Sequence, residues 1–380
     1  MAEAGQAVAA QAELDRRLMA ACLRLGRRHQ GRTHPAPSVG ALVVRVEGGA
    51  PVILGRGITG PGGSSHAITA ALADAGEGAR GATLYTSLEP VIRHADGQSD
   101  TDALIGAGIQ RLVSALDDPD ARRTRSGYAR LREAGVGVTA GVLGEEARRL
   151  HAGFLSVATQ GRPHVTLKLA VSADGMIGRK GGERMLVSGP LAFEQLQRLR
   201  LETDASLIGI ETALVNDPSL VLRVAGLRSL SPIRIVLDRA ARLPPSSALV
   251  QSAGEIPLWV CVGPEVDAGA SAALQAAGAV ILPVGTGSGG LDLPAVLKLL
   301  AERGLTRLLV EGGARVAASL VTAGLADEVV LFRAPVVIGP DGVRALAGGA
   351  LSAIERSPRY RIAEDLRLGE DRMIRYERTT

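Results

Sequence analysis

The sequence predicts an α/β protein in two domains, each built on a mostly parallel sheet. Short apolar runs alternate with helical patterns along the chain, the order produced when crossover helices join neighbouring strands. That pattern breaks and restarts at Gly161-Arg162-Pro163. With 380 residues and 46% hydrophobic content, the chain is long enough to bury two ordinary cores. The expected domains are residues 1–160 and 161–380.

The N-terminus is alanine-rich, but Glu3, Glu13, Asp15, Arg16 and Arg17 interrupt it, so it reads as an amphipathic helix and not as a secretory signal. Buried strands are expected at 41–44, 82–86 and 111–115, with helices at 66–73, at 102–106 and from 144 to about 158. The second half restarts with a strand at 165–171, whose two-residue period puts Lys168 on one face with Thr166 and Ala170. Further strands are expected at 206–210, 233–237, 258–262, 279–282, 307–310 and 328–332. Gly285 to Gly290 matches G-x-G-x-x-G after a strand, yet Leu291-Asp292-Leu293-Pro294 intervenes and Pro294 suits the first turn of a helix. The segment is read as a flexible loop, not as a dinucleotide fingerprint.

Composition removes several function classes. Cys22 and Cys261 lie far apart and in no motif, which fits a reducing compartment and excludes a disulfide framework. No apolar run reaches spanning length, so a soluble cytoplasmic protein without a membrane partner is expected. The net charge of +4 includes one dense patch at Arg122, Arg123 and Arg125, but eight aromatic residues (three Phe, four Tyr, one Trp) give no stacking platform for nucleic acid. The patch is read as a solvated loop. Lysine is scarce: Lys168, Lys180 and Lys298 stand against 40 arginines. A lysine kept under such a bias marks a place that needs a compact primary ammonium.

Two groups of residues carry chemistry. Ser65-His66-Ala67-Ile68, Thr86-Ser87-Leu88-Glu89-Pro90-Val91 and Asp100 have the frame of a zinc deaminase, which needs one His and two Cys on the metal and a Glu two residues after the His. Of that set only His66 is present. A rearranged metal site from His66, His94 and Asp100 is the alternative, and it would still lack the proton-shuttling Glu at position 68. In the second half, Arg307-Leu308-Leu309-Val310-Glu311-Gly312-Gly313-Ala314-Arg315 is a buried strand ending in an acid and two glycines before a helix. That arrangement suits a phosphate, because glycine lets the backbone approach and a helix N-terminus attracts anions. An ordinary strand-to-helix turn is the plainer reading.

Together these motifs resemble the bifunctional pyrimidine deaminase/reductase of riboflavin biosynthesis. The N-terminal half matches it through Thr33-His34-Pro35-Ala36-Pro37-Ser38-Val39-Gly40, Leu88-Glu89-Pro90 and Asp102-Ala103-Leu104-Ile105. On that register Ile68 replaces the catalytic Glu, Val91 and Asp100 replace the two zinc Cys, and Ala36 replaces a base-contacting Asn. The C-terminal half matches through Leu167-Lys168-Leu169-Ala170, Ser172-Ala173-Asp174-Gly175, Ile208-Gly209-Ile210-Glu211-Thr212 and Asp217-Pro218-Ser219-Leu220.

The resemblance implies a cytidine-deaminase-like three-layer domain without zinc, followed by a dihydrofolate-reductase-like domain. It implies NADPH-dependent reduction of a phosphorylated ribosylamino pyrimidine, and a homodimer. Lys168, Glu311 and Asp174 would be catalytic. Arg200, Leu220, Arg223 and Arg184 would bind substrate, with Arg200 and Arg223 on its 5-phosphate. Ala170, Leu186, Thr212, Asn216, Arg239, Gly312, Gly313, Ala314 and Arg315 would bind the cofactor. Arg184-Met185-Leu186 departs from the family's Ser-x-Trp and Asn216 from an Asp, which leaves open a related pterin or pyrimidine as substrate, or a non-catalytic ligand-binding role. Each site has a structural rival: Arg200 pairing with Glu202, Arg223 in an exposed loop, Asp174 shaping a turn.

Overall fold

A computed structural model describes residues 2–94, 96–119, 127–181, 185–287 and 289–379. The basic patch at Arg122, Arg123 and Arg125 and the substrate candidate Arg184 lie outside the described residues. The chain divides into two compact units, Met1–Gly161 and Arg162–Thr380.

The first unit holds a five-stranded sheet of β1 (Gly40–Glu47), β2 (Ala50–Ile58), β3 (Thr83–Thr86), β4 (Arg111–Ser114) and β5 (Gly137–Thr139), in the order β2-β1-β3-β4-β5. Strands β3, β4 and β5 run parallel, whereas β1 is antiparallel to both β2 and β3. The alternation along β1 explains the layering: Leu42 and Val44 enter one core with Met19 and Cys22, while Ala41 and Val43 enter another with Ile68 and Leu104. Helix Ala2–Arg27 covers the first face. Helices Ala67–Ala75 and Asp100–Gly106 cover the second. Three layers result.

Helix Ala67–Ala75 can lie close to β2 only because β2 carries glycine there. A Cβ on Gly57 would fall 1.8 Å from the Ala67 carbonyl oxygen, and one on Gly55 would fall 2.2 Å from that of Ala71. The helix expected from 144 to about 158 is instead two, Gly144–Leu150 and Ala152–Gln160, separated at His151. His151 is buried and its Nε2 lies 3.1 Å from the Ser87 hydroxyl, just past the end of β3.

The second unit is built on nine strands: β6 (His164–Val171), β8 (Ala205–Gly209), β9 (Ile233–Leu237), β10 (Leu258–Val262), β11 (Val280–Pro283), β14 (Arg307–Val310), β15 (Glu328–Arg333), β17 (Tyr360–Leu368) and β18 (Asp371–Arg378). Two small ribbons pair β7 (Met176–Arg179) with β16 (Gly342–Arg344), and β12 (Thr286–Gly287) with β13 (Gly290–Leu291). The large sheet has the order β11-β10-β9-β8-β14-β6-β15-β18-β17. It is parallel from β11 to β15, and β18 and β17 close it as an antiparallel hairpin. The chain returns late to insert β14 between β8 and β6, so the C-terminal ends of strands distant in sequence share one edge. In the segment Gly285 to Gly290 the described residues Thr286–Gly287 and Gly290 belong to the β12–β13 ribbon, and Asp292 then caps helix Leu293–Glu302 with Pro294 in its first turn.

One charge network matters to the first unit. Asp15 is 4% exposed and accepts from Arg111 Nη1 at 2.9 Å, Arg111 Nη2 at 2.6 Å, Tyr85 Oη at 2.8 Å and Gln11 Nε2 at 3.0 Å. Burial pushes its carboxyl up, but these donors together hold it below the usual range. Arg111→Met leaves a buried carboxylate without its cation and should cost about 3–5 kcal/mol, read as a lowered urea midpoint for the cooperative unit that contains Tyr85.

Candidate active site

The site assembles at the C-terminal edge of the parallel strands, where open α/β sheets bind ligands. Glu311 follows β14 and its backbone N–H donates to the Leu207 carbonyl of β8. Both carboxylate oxygens accept from Arg200 in the last turn of helix Pro190–Leu201, Oε1 from Nε at 2.7 Å and Oε2 from Nη2 at 2.8 Å. Arg200 Nη1 donates to the Val221 carbonyl at 2.8 Å. Burial pushes the Glu311 carboxyl up, but Arg200, with Lys168 nearby, holds it below the ordinary value.

Lys168 stands on β6 with Leu167 and Leu169 turned to the opposite core, as the alternation requires. Its Nζ lies 5.6 Å from the centre of the Phe332 ring on β15, within cation–π reach. Burial is the main cause that lowers the ammonium's pKa; the Glu311 carboxylate opposes it and Arg200 adds to it. A desolvated ammonium beside a buried carboxylate is suited to exchanging a proton with a bound polar group.

Asp174 lies in the turn between β6 and β7. Its carboxylate accepts from Ser172 Oγ at 2.6 Å and from the backbone N–H groups of Ile338 and Gly339 at 3.1 and 2.8 Å, which lowers its pKa to about 2. These bonds tie the turn to the segment after β15, the turn-shaping arrangement that rivals a direct role in chemistry.

Several residues expected at the dinucleotide gather around two helix starts. Gly209 precedes helix Ile210–Asn216 and Gly313 precedes helix Ala314–Thr322, and neither end has a side-chain cap. Gly312 and Gly313 adopt φ of 116° and 95°, open to glycine alone in practice, and a Cβ on Gly313 would stand 3.1 Å from Thr212 Oγ1. Exposed Arg315 and the Arg242–Glu211 pair, 2.6 Å apart, lie on the same two helices and the β9 end. Arg239 follows β9, is exposed, and packs its stem on Gly263. Such a cradle of uncapped N–H groups, glycines and guanidinium groups fits the phosphates of a dinucleotide.

The other expected residues divide. Arg223 is exposed and its guanidinium lies 5.9 Å from the Phe193 ring, while its backbone N–H donates to buried Gln197 at 2.7 Å. Leu220, with φ of 54°, is only 3% exposed and packs into the core beside Val236, so its side chain belongs to the interior. Asn216 ends its helix, Ala170 packs beside Phe332, and Leu186 is 75% exposed. Sequence reasoning missed Gln197, Val221 and Phe332. Gln197 sits three residues before Arg200 on one helix face, which was a usable signal; a backbone carbonyl and a cross-strand ring leave none.

In the first unit, the zinc-motif positions come together without converging. Ile68 is buried at 3% exposure in an apolar cluster, and Val91 is buried at 2% with its backbone N–H donating to Asp100. His66 precedes helix Ala67–Ala75 and its Nε2 lies 3.0 Å from Asp96. The His94 ring stacks on it at 3.5 Å and directs its own Nε2 to Asp100, also at 3.0 Å. The two imidazoles thus address different carboxylates. Among the described residues no group of three His, Cys, Asp or Glu side chains is arranged to hold a metal ion.

The family described as RibD C-terminal domain matches residues 163–373. Riboflavin biosynthesis protein RibD of Aquifex aeolicus is 36% identical over 366 residues, covering 96% of this chain and 99% of its own. The chain belongs to the RibD family. The RibD of Escherichia coli K12 is 33% identical over 370 residues, covering 94% of this chain and 97% of the relative. Among solved structures, Acinetobacter baumannii RibD superposes with a TM-score of 0.84 at 27% identity over 97% of this chain and all of that one. The diaminohydroxyphosphoribosylaminopyrimidine deaminase/5-amino-6-(5-phosphoribosylamino)uracil reductase of Thermotoga maritima gives 0.82 at 26%, again over 97% and 100%. The RibD architecture, a deaminase-like domain followed by a dihydrofolate-reductase-like one, is therefore this chain's, and so is a reductase domain of riboflavin biosynthesis. No helix among the described residues is long and apolar enough to cross a membrane.

The RibD frame around the zinc motif gives a direct test. Restoring Ile68→Glu, Val91→Cys and Asp100→Cys together should produce a protein that carries about one zinc, measured by elemental analysis after dialysis. A metal-free triple variant would show that the frame itself has moved.

Proposed function

We propose that this RibD protein reduces 5-amino-6-(5-phosphoribosylamino)uracil to its ribitylamino product with NADPH, and that its first unit does not deaminate. The buried Arg200–Glu311 pair with half-buried Lys168 beside the glycine cradle is the observation that carries the reading. Gly312, Gly313, Thr212, Ala314 and Arg315 would hold the dinucleotide, with Arg239 beside its ribose, where a guanidinium favours a 2′-phosphate. When bound, the cofactor supplies a hydride for the sugar's first carbon.

The protein's own task is then positioning and proton management. The aminal ring must open to an imine, which needs a proton on the ring oxygen, and Lys168 is placed as the donor. Glu311 orients the sugar hydroxyls and compensates the ammonium's charge. Arg223, exposed at the edge, takes the 5-phosphate. Asp174 holds the β6–β7 turn that borders the site.

Loss of deamination rests on residue chemistry. Val91 has no lone pair, Ile68 cannot shuttle a proton, and His66 already faces Asp96. The unit would persist as a scaffold, with deamination supplied by another enzyme. A related pterin remains the second reading, prompted by exposed Leu186 where the family has an aromatic ring.

Two measurements test this. Purified protein should oxidise NADPH with the deaminated pyrimidine and release no ammonia from the undeaminated one; ammonia release would refute the scaffold reading. Gly313→Asp puts an anion into the phosphate cradle and should weaken NADPH binding by about 10-fold or more, followed by nicotinamide fluorescence.

A further inference from the structure

A carboxylate stands in the cradle that suits phosphates. Glu211 lies in the first turn of helix Ile210–Asn216 after β8, Arg315 at the start of helix Ala314–Thr322 after β14, and Arg239 and Arg242 in the turn after β9. These strands are neighbours in the order β9-β8-β14, so the four residues share one stretch of the C-terminal edge. A hydrogen bond from Arg242, with the charge of Arg315 behind it and burial opposing, holds the Glu211 carboxyl below its ordinary value. An ionised Glu211 therefore competes with any anion for Arg242.

The turn that carries Arg242 is held in a costly shape. Ala241 adopts φ of 52°, left-handed backbone that an alanine rarely takes. Asp238 fixes it: wholly buried, it accepts from the Leu243 backbone N–H at 2.8 Å through its carboxylate and from that of Ala241 at 3.2 Å through its carbonyl, while its own N–H donates to the Cys261 carbonyl at 2.9 Å. Backbone strain that the surroundings enforce in this way marks functional turns.

The pair itself is easily opened. Arg242 and Glu211 are 47% and 54% exposed, and an exposed ion pair shifts an equilibrium by about 5-fold or less. A phosphate dianion offers the guanidinium twice the charge and two parallel hydrogen bonds. Arg239 and Arg315, also exposed, form no ion pair among the described residues. Only Arg242 must be released before it can meet a ligand.

We propose that Glu211 sets the cofactor specificity of this site: it holds Arg242 in the free protein and yields it to the 2′-phosphate of NADPH, whereas NADH, which lacks that group, leaves the pair closed. The 2′-phosphate is the partner because Arg242 comes three residues after Arg239, on the turn next outward from the two helix starts that would meet the pyrophosphate. Glu211 acts through Arg242 and is a positioning residue. The proposal deepens the dinucleotide reading above and rests on it.

The test measures Kd for NADPH and for NADH by nicotinamide fluorescence in the wild-type chain, Glu211→Gln, Arg242→Gln and the double variant. Glu211→Gln should tighten NADPH by about 3- to 5-fold, because the competitor is gone, and leave NADH within about 2-fold. Arg242→Gln should weaken NADPH by about 10-fold and barely touch NADH. The double variant should match Arg242→Gln, since Glu211 has no effect once the guanidinium it holds is removed. NADPH binding that is unchanged or weaker in Glu211→Gln overturns the proposal, as do independent effects of the two substitutions. Equal changes for both cofactors put Arg242 on the pyrophosphate and overturn the specificity role. Wild-type protein that binds neither cofactor overturns the dinucleotide reading itself, an outcome distinct from all of these.

Discussion

A carboxylate buried at the end of a central parallel strand constrains everything around it. Glu311 is flanked by β8 and β6, with its side chain 5% exposed. An ionised group there is costly unless a cation meets it with good geometry. The chain meets that demand with Arg200, which fixes how helix Pro190–Leu201 lies on the sheet edge. Gln197 and Arg200 of that helix then bind the loop after Asn216 through Arg223 N–H and the Val221 carbonyl. The position of the candidate phosphate residue thus follows from the pairing of a candidate catalytic one.

The same edge holds its charges at unequal depth. Arg200 and Glu311 are neutralised deep in the unit, Lys168 is half-buried, and Arg223, Arg239 and Arg315 are exposed. The exposed guanidinium groups stand outside, and the ion pair that sets the local field stands inside. Phe332, Val330, Leu309 and Met373 form the apolar floor under Lys168, which is why its ammonium is desolvated without being paired. The first unit shows the converse. Its motif positions hold His66 beside Asp96 and His94 beside Asp100, with Ile68 packed in an apolar cluster and Val91 buried.

Legibility in the sequence followed the strength of the hydrophobic pattern. Strands at 307–310 and 233–237 were read correctly because both faces are buried and the runs are apolar apart from Arg307 and Arg234. Strands β17 and β18 were not foreseen: Tyr360-Arg361-Ile362-Ala363-Glu364-Asp365-Leu366-Arg367-Leu368 places charges on an exposed edge, where ion pairs such as Arg372–Asp365 replace apolar alternation. Strand β8 ends at Gly209, one residue earlier than its apolar run, because Ile210 already begins a helix. For the site, the scarcity of lysine and the Glu-Gly-Gly step pointed to Lys168 and Glu311. Leu220 has a left-handed backbone that turns its side chain into the core, which no local pattern in the sequence announces.

By itself the sequence determined the two-domain α/β plan, the family and the residue changes in the zinc motif, and it named candidate residues for the reductase edge, because each of these is written in local pattern or residue type. Only the tertiary structure decided which of those residues meet. Arg200 and Glu311 are 111 positions apart in sequence, and their pairing depends on β14 returning between β8 and β6. No local spacing encodes that return. A guanidinium binds whichever oxyanion the fold brings to it, so the sequence supplied the charge and the strand order chose its partner.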